Sequence, residues 1–230
     1  MSDDDTLCYH DVITSMTLCV ITDYADGMAR WDSGSESRLR RAAMTLFAEH
    51  GYDAVTVTQI SERAGLTRRS FFRYFPDKRE VLFAGSESLP PALADAVASA
   101  DASLPEAEAV LSALESVGVT LLREVDSARE RRTIIAGSLE IREREHSKLA
   151  EMARAIADGL RCRGTDGDTA EFFGRIAVDI FDTAFERSID DDDPASTFPA
   201  QLAATFTRLT HLLGAAAGES TAPAAGTEEL

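Results

Sequence analysis

Arg68, Arg69 and Ser70 stand consecutively in this chain and are the side chains best equipped for a specific chemistry. A guanidinium can donate two parallel hydrogen bonds to O6 and N7 of a guanine, and a hydroxyl can serve either a base edge or a phosphate. Thr67, directly before them, is a residue type that caps helices. The three donors therefore fall in the first turn of a predicted helix that continues through Phe71, Phe72, Tyr74 and Phe75. A helix that starts basic and ends aromatic suits a reader of the DNA major groove, whose N-terminal residues reach base edges. Two amphipathic helices of a bundle with an arginine pair on a solvated face would fit the same residues.

The elements that must position these donors lie just upstream. Thr56 and Gln59 have capping-box spacing, and Ile60 and Ala64 follow on one helical face. Gly65 can take the left-handed conformation that ends a helix, with Leu66 as an apolar plug under the turn. Ser33 and Glu36 form another capping pair, opening a predicted helix to about His50 and Gly51. Its buried stripe is Leu39, Ala42, Ala43, Leu46 and Phe47. A three-helix, helix-turn-helix head over 33–83 results. Pro76 marks the start of a further helix through Lys78, Val81, Leu82 and Phe83, with a break expected between Ser86 and Pro91.

The remainder, 84–214, reads as a helical regulatory and dimerisation body, so the fold class is all-α. One helix starts at Ser103, Pro105 and Glu106 and buries Val110, Leu111, Leu114, Val117, Leu121 and Leu122. Asp126 restarts the chain, with Ile134 and Ile135 before Gly137. A long helix runs from about Leu139 to Cys162, another starts at Asp168 and Glu171, and a loop spans Asp190 to Pro194. The last helix is expected from Pro199 to Leu213. The acidic segment 1–32 reads as a disordered arm or as sequence before a native start near Met28, and 215–230 as a disordered tail.

The net charge is −17, which at first opposes an anionic partner. Nine basic and six acidic residues lie between Ser35 and Phe83, so that segment is +3 and the rest carries −20. Such asymmetry turns the head toward phosphate and the body away from it. Cys8, Cys19 and Cys162 are widely spaced and fit a reducing compartment, and no apolar run reaches membrane-spanning length. A cytoplasmic location follows as an expectation. No nucleophile elbow or phosphate loop is present, and Glu143 with His146 is only half of a di-iron motif. Neither an enzyme, a metal nor a cofactor is expected.

Residues from about Arg38 to Leu82 resemble the N-terminal domain of the TetR family of bacterial transcriptional regulators. The resemblance rests on FAEHGY, then TVTQISERAG, then the recognition helix, then the aromatic-Phe-x-x-Lys segment ending at Lys78. It implies a homodimer on a double-stranded DNA operator, with a small-molecule effector in the body and repression as the usual outcome. Arg68, Arg69 and Ser70 would face bases, and Thr67 base or phosphate. Thr56, Phe72, Tyr74 and Lys78 match positions that contact or support the DNA backbone. Arg69 departs from the small residue usual in the family, and Phe72 from a frequent Tyr. The segment from Arg129 to Leu160 is similar to C-terminal domains of actinobacterial TetR-like regulators thought to bind acyl-CoA-like ligands. That similarity implies an anionic ligand at Arg131, Arg132, Arg142 and Arg144, and a salt-bridged helix face would explain the same arginines. In the family the last two long helices pair across a dimer, which makes Phe173, Phe181, Phe206 and Leu213 candidates for that interface or for internal core. A body that only dimerises, or binds a protein partner, is the alternative to a ligand-responsive one.

Overall fold

The computed structural model describes residues 33–124 and 128–219, and the expectations for the arm, for Asp126 and for 220–230 lie outside them. Nine α-helices occur among the described residues: α1 Ser33–His50, α2 Val57–Arg63, α3 Arg68–Tyr74, α4 Leu89–Ser99, α5 Glu106–Glu124, α6 Ala128–Ala136, α7 Leu139–Cys162, α8 Gly167–Ser188 and α9 Pro194–Glu219. Two 3-10 turns, Arg79–Leu82 and Ser86–Ser88, link α3 to α4. No strand is present among the described residues, and the fold is all-α.

Local chemistry explains the head. Thr56 and Gln59 form the reciprocal capping box that starts α2, with Thr56 N donating to Gln59 Oε1 at 2.8 Å. Gly65 takes φ +67° after α2, a conformation that a β-carbon would strain, and so brings α3 across the preceding helices. Thr67 accepts from the Ser70 amide and starts α3. Leu39, Phe47, Ile60 and Phe71 are essentially fully buried and fasten the three helices together.

The body core is built by α4, α5, α7, α8 and α9 around Leu93, Leu114, Ile156, Leu160, Phe181 and Phe198. Helices approach closely where glycine stands. A β-carbon on Gly159 would lie 2.7 Å from the Ala94 carbonyl oxygen, and one on Gly174 would overlap the Ala153 carbonyl. The head core does not end with the head. Ile134 and Ile135 of α6 and Ile141 of α7 are buried within it, beside Leu39, Phe47 and Phe83.

Several elements differ from expectation. The helix expected through Lys78 to Phe83 is only a 3-10 turn, because Asp77 Oδ1 accepts from the amides of both Arg79 and Glu80 and fixes a tight start. The α4 helix was not anticipated. The break or kink expected between Ser86 and Pro91 falls at the 3-10 turn Ser86–Ser88, while Pro90 and Pro91 occupy the first turn of α4, where a missing amide costs nothing. Helix α9 begins at Pro194, five residues before Pro199, with Asp193 at its start accepting from the Ser196 amide at 3.4 Å. At its other end α9 continues past Leu213 to Glu219.

Candidate nucleic-acid interface and body cavity

Helix α3 lies on the head with Phe71 inward, where it meets the rings of Phe72 and Phe75 at 5.5 and 5.3 Å. That anchoring leaves Thr67, Arg68 and Arg69 exposed at the start of the helix and Ser70 half-buried. Arg68 lies 6.0 Å from the centre of the Phe72 ring, a loose cation–π contact that keeps the guanidinium beside the helix. Arg69 makes no side-chain hydrogen bond or ion pair among the described residues and is free to meet a ligand. The Ser70 hydroxyl is 3.0 Å from that of Thr67, so both are partly engaged in the cap. Thr56 is exposed on the same head, and Phe72 is 48% exposed. Tyr74 receives a hydrogen bond from Arg73 at 2.7 Å, which fixes the phenol and brings a further cation beside it.

Lys78 is turned inward. Its ammonium donates to the carbonyl oxygens of Tyr52 and Val55, both at 2.9 Å, and sits 3.8 Å from the Tyr52 ring centre. Two of its three hydrogens are thereby spent inside the head, on the turn between α1 and α2. Burial pulls its pKa below the ordinary lysine value. Of the two parts expected of it, contact with or support of the DNA-binding surface, these bonds serve support, as an inward clamp that shapes the helix-turn-helix unit. Arg63, another basic residue of the head, is held by both carboxylate oxygens of Glu49 at 3.1 Å.

The four arginines expected to hold a ligand are not one cluster. Arg131, Arg132 and Arg142 line a cavity of about 270 Å³ between α6, α7 and α8, together with Glu145, Asp182, Phe185 and Glu186. Arg144 is outside it, donating to Glu80 of the head and lying 3.5 Å from Glu151. Positions two apart on a helix do not share a face, so Arg142 and Arg144 diverge. Arg132 is held by the Glu186 carbonyl at 3.2 Å and its carboxylate at 3.4 Å. Arg131 donates to the Leu82 carbonyl oxygen at 2.8 Å and lies 5.1 Å from the Phe83 ring centre. Arg142 alone of these has no side-chain hydrogen bond or ion pair among the described residues.

The carboxylates of this cavity were not anticipated. Asp182, Phe185 and Glu186 of α8 and Ile189 at its C-terminal cap line it, and their spacing of three and four residues was visible in the sequence as one face. The side chains of Glu145 and Asp182 make no hydrogen bond or ion pair among the described residues. Burial raises both carboxyls above the ordinary range, opposed at Glu145 by Arg131 and reinforced at Asp182 by Glu186 and Asp179. A larger space of about 820 Å³ opens between head and body, lined mainly by charged residues including Asp77, Arg79, Glu80, Arg144 and Lys148.

Of the residues expected at a dimer interface, Phe181 is only 4% exposed and belongs to the chain's own core, stacked on Phe185 at 5.6 Å. Phe173 and Phe206 are half-buried, whereas Leu213 is 61% exposed. Phe172 and Leu212 extend the exposed apolar surface of α8 and α9, at 62% and 71% exposed.

Comparison with known proteins agrees with this geometry. Residues 39–84 match the family model described as bacterial regulatory proteins, tetR family. An uncharacterized HTH-type transcriptional regulator of Mycobacterium tuberculosis, Rv2250c, is 38% identical over 53 residues, covering 23% of this chain and 27% of that protein. The similarity thus spans about a quarter of the relative's length. Two solved structures share the fold at low identity. SmeT, in complex with triclosan, superposes with a TM-score of 0.55 at 17% identity, covering 76% of this chain and 90% of its own. NalD of Pseudomonas aeruginosa, the secondary repressor of the MexAB-OprM multidrug efflux pump, gives a TM-score of 0.51 at 19% identity, covering 75% and 95%. The head, over residues 39–84, thus carries the sequence pattern of the tetR family of bacterial regulatory proteins, and about three quarters of the chain shares its fold with these two structures.

Proposed function

We propose that this protein is a DNA-binding transcriptional regulator that acts as a cytoplasmic homodimer and leaves its operator when a small molecule enters the body. The observation that carries the DNA-binding part is the exposed Arg68–Arg69 pair at the start of α3, with Arg69 unengaged and the α1–α2 turn fixed by Lys78. Arg68, Arg69, Ser70 and Thr67 would face bases or phosphate, and Thr56, Phe72 and Tyr74 the backbone. Dimerisation would use the exposed apolar surface of α8 and α9 around Phe172, Leu212 and Leu213, with Phe173 and Phe206 at its edge. No helix of the described residues is long and apolar enough to cross a membrane.

NalD is a repressor and SmeT is held in complex with triclosan, and repression and small-molecule binding come to this chain as part of the proposal. The effector site would be the α6–α7–α8 cavity. Its volume of about 270 Å³ falls just below the 300–1,000 Å³ usual for ligand pockets, which favours a small molecule over an acyl-CoA-like one. The same small volume, with Arg131 and Arg132 already engaged, favours a second function: a body that serves dimerisation or a protein partner alone.

Sequencing of genomic DNA fragments retained by the purified full chain tests the DNA-binding part. Enrichment of a short, two-fold symmetric site is expected, since a symmetric dimer requires paired half-sites. Retention without any sequence preference would overturn it. Ligand screening against the dimer on that site then separates the ligand-responsive function from the dimer-only one.

A further inference from the structure

We propose that Arg131 is a positioning residue that holds the head in place while forming a wall of the body cavity, so that an occupant of the cavity acts on the head through it. The inference rests on the effector site proposed above. Arg131 belongs to α6, and its Nε donates to the carbonyl oxygen of Leu82 at 2.8 Å. Its guanidinium carbon lies 5.1 Å from the centre of the Phe83 ring. Leu82 and Phe83 form the end and cap of the 3-10 turn by which the chain leaves the head. The same side chain lines the cavity, together with Ile135 one turn further on. Ile135 is itself buried in the head core. One face of α6 is therefore shared between the cavity and the head.

Other polar links join head and body, but none of them borders this cavity. Tyr52 donates to Glu140 at 3.2 Å, Ser138 to Asp53 at 3.2 Å, and Arg144 to Glu80 at 2.5 Å. Arg131 alone is a polar link that also belongs to the cavity wall among the described residues. Its hold on Leu82 is weak in kind. A backbone carbonyl is a neutral acceptor, and a carboxylate or phosphate oxygen competing for the same donors forms a charge-assisted bond roughly twice as strong. Burial lowers its pKa, and Glu145 is the main nearby charge that offsets this. An occupant that draws Arg131 into the cavity, or displaces it by bulk, would release Leu82 and uncover Phe83. The exit turn of the head would then lose both its directional bond and its cation–π contact.

A tethered occupant tests this. In a background with Cys8, Cys19 and Cys162 replaced by serine, Ala136→Cys places a thiol in the cavity wall, and benzyl methanethiosulfonate caps it with a benzyl group. Backbone hydrogen exchange at residues 82–84 reads the exit turn without DNA, and fluorescence anisotropy reads operator affinity. Capping is expected to speed exchange there and to weaken operator binding about tenfold, within the range of ordinary coupling between sites. In the Arg131→Met background exchange at 82–84 is expected to be fast already, and capping to change operator affinity by no more than about twofold, the limit of independent effects. Arg131→Lys, which keeps one donor, is expected to lie between the two, while exchange in α8 stays constant throughout. The proposal is overturned if capping alters neither readout, or alters both equally with Arg131 present and replaced. It is also overturned if Arg131→Met leaves exchange at 82–84 unchanged. If no variant binds any duplex yet the exchange pattern holds, the DNA-binding function fails and the Arg131 link stands.

Discussion

Arg144 of α7 places its Nε 2.5 Å from Oε1 of Glu80, a carboxylate of the head that is almost wholly enclosed. The bond raises the pKa of Arg144, chiefly because Glu80 accepts from its charged form. Lys148 stands 3.9 Å from the other oxygen of Glu80, beyond hydrogen-bond reach. Arg144→Ala should therefore destabilise the protein by about 1–3 kcal/mol, the cost of leaving an enclosed polar group without its partner. Chemical denaturation of wild type and variant measures it. An unchanged midpoint would mean that water or Lys148 substitutes fully.

Lys78 and Arg69 should separate stability from recognition. Lys78→Met removes two hydrogen bonds to buried carbonyls and should lower stability by about 1–3 kcal/mol. Arg69→Ala should leave the melting temperature unaltered and cost about 1–3 kcal/mol of discrimination between operator and mismatched duplex. Paired thermal melts and anisotropy titrations check both. Equal loss of discrimination in the two variants, with equal melting temperatures, would reassign Lys78 to the outer surface.

Glu145 and Asp182 should make stability depend on pH in the direction opposite to a salt-bridged carboxylate. Their folded pKa values are raised, mainly by burial, so the folded chain takes up these protons before the unfolded chain does. The penalty is complete above the raised pKa values and disappears as pH falls through them. Asp182→Asn should accordingly raise the melting temperature at pH 8, with a gain that shrinks toward pH 4. Thermal melts across that interval decide the matter, and a gain independent of pH would show that charge is not its cause.

Gly174→Ala should push α7 and α8 apart. The new β-carbon would overlap the carbonyl of Ala153, which is backbone and cannot rotate away. Overpacking of this kind costs typically about 1–3 kcal/mol. Gly214→Ala, where nothing lies within 4 Å, is the matched control and should be neutral or slightly stabilising. Denaturant midpoints of the two variants provide the comparison.

The head was legible because its signals are local. Thr56 with Gln59, Gly65 and Thr67 each specify a cap or turn within a few residues, and the structure has them all. Helix α4 was not legible, since Pro90 and Pro91 look the same whether they break a helix or open one. The bonds that Lys78 and Arg131 make were not legible for a different reason. Their partners, the carbonyls of Tyr52, Val55 and Leu82, are 23 to 49 positions away and carry no side-chain signature. That Arg144 lies apart from the other three arginines was hidden because counting arginines along a segment ignores the direction each one leaves the helix.

Ile134, Ile135 and Ile141 complete the core of a head from which they are separated by some fifty residues of chain. A recombination joint placed after Phe83 would therefore graft a head onto a foreign floor, with its own underside left behind. Chimeric regulators made by exchanging heads alone should be soluble only where the recipient offers three matching aliphatic side chains. The modular unit is discontinuous, and a successful exchange must carry α6 and the first turn of α7 along with residues 33–83.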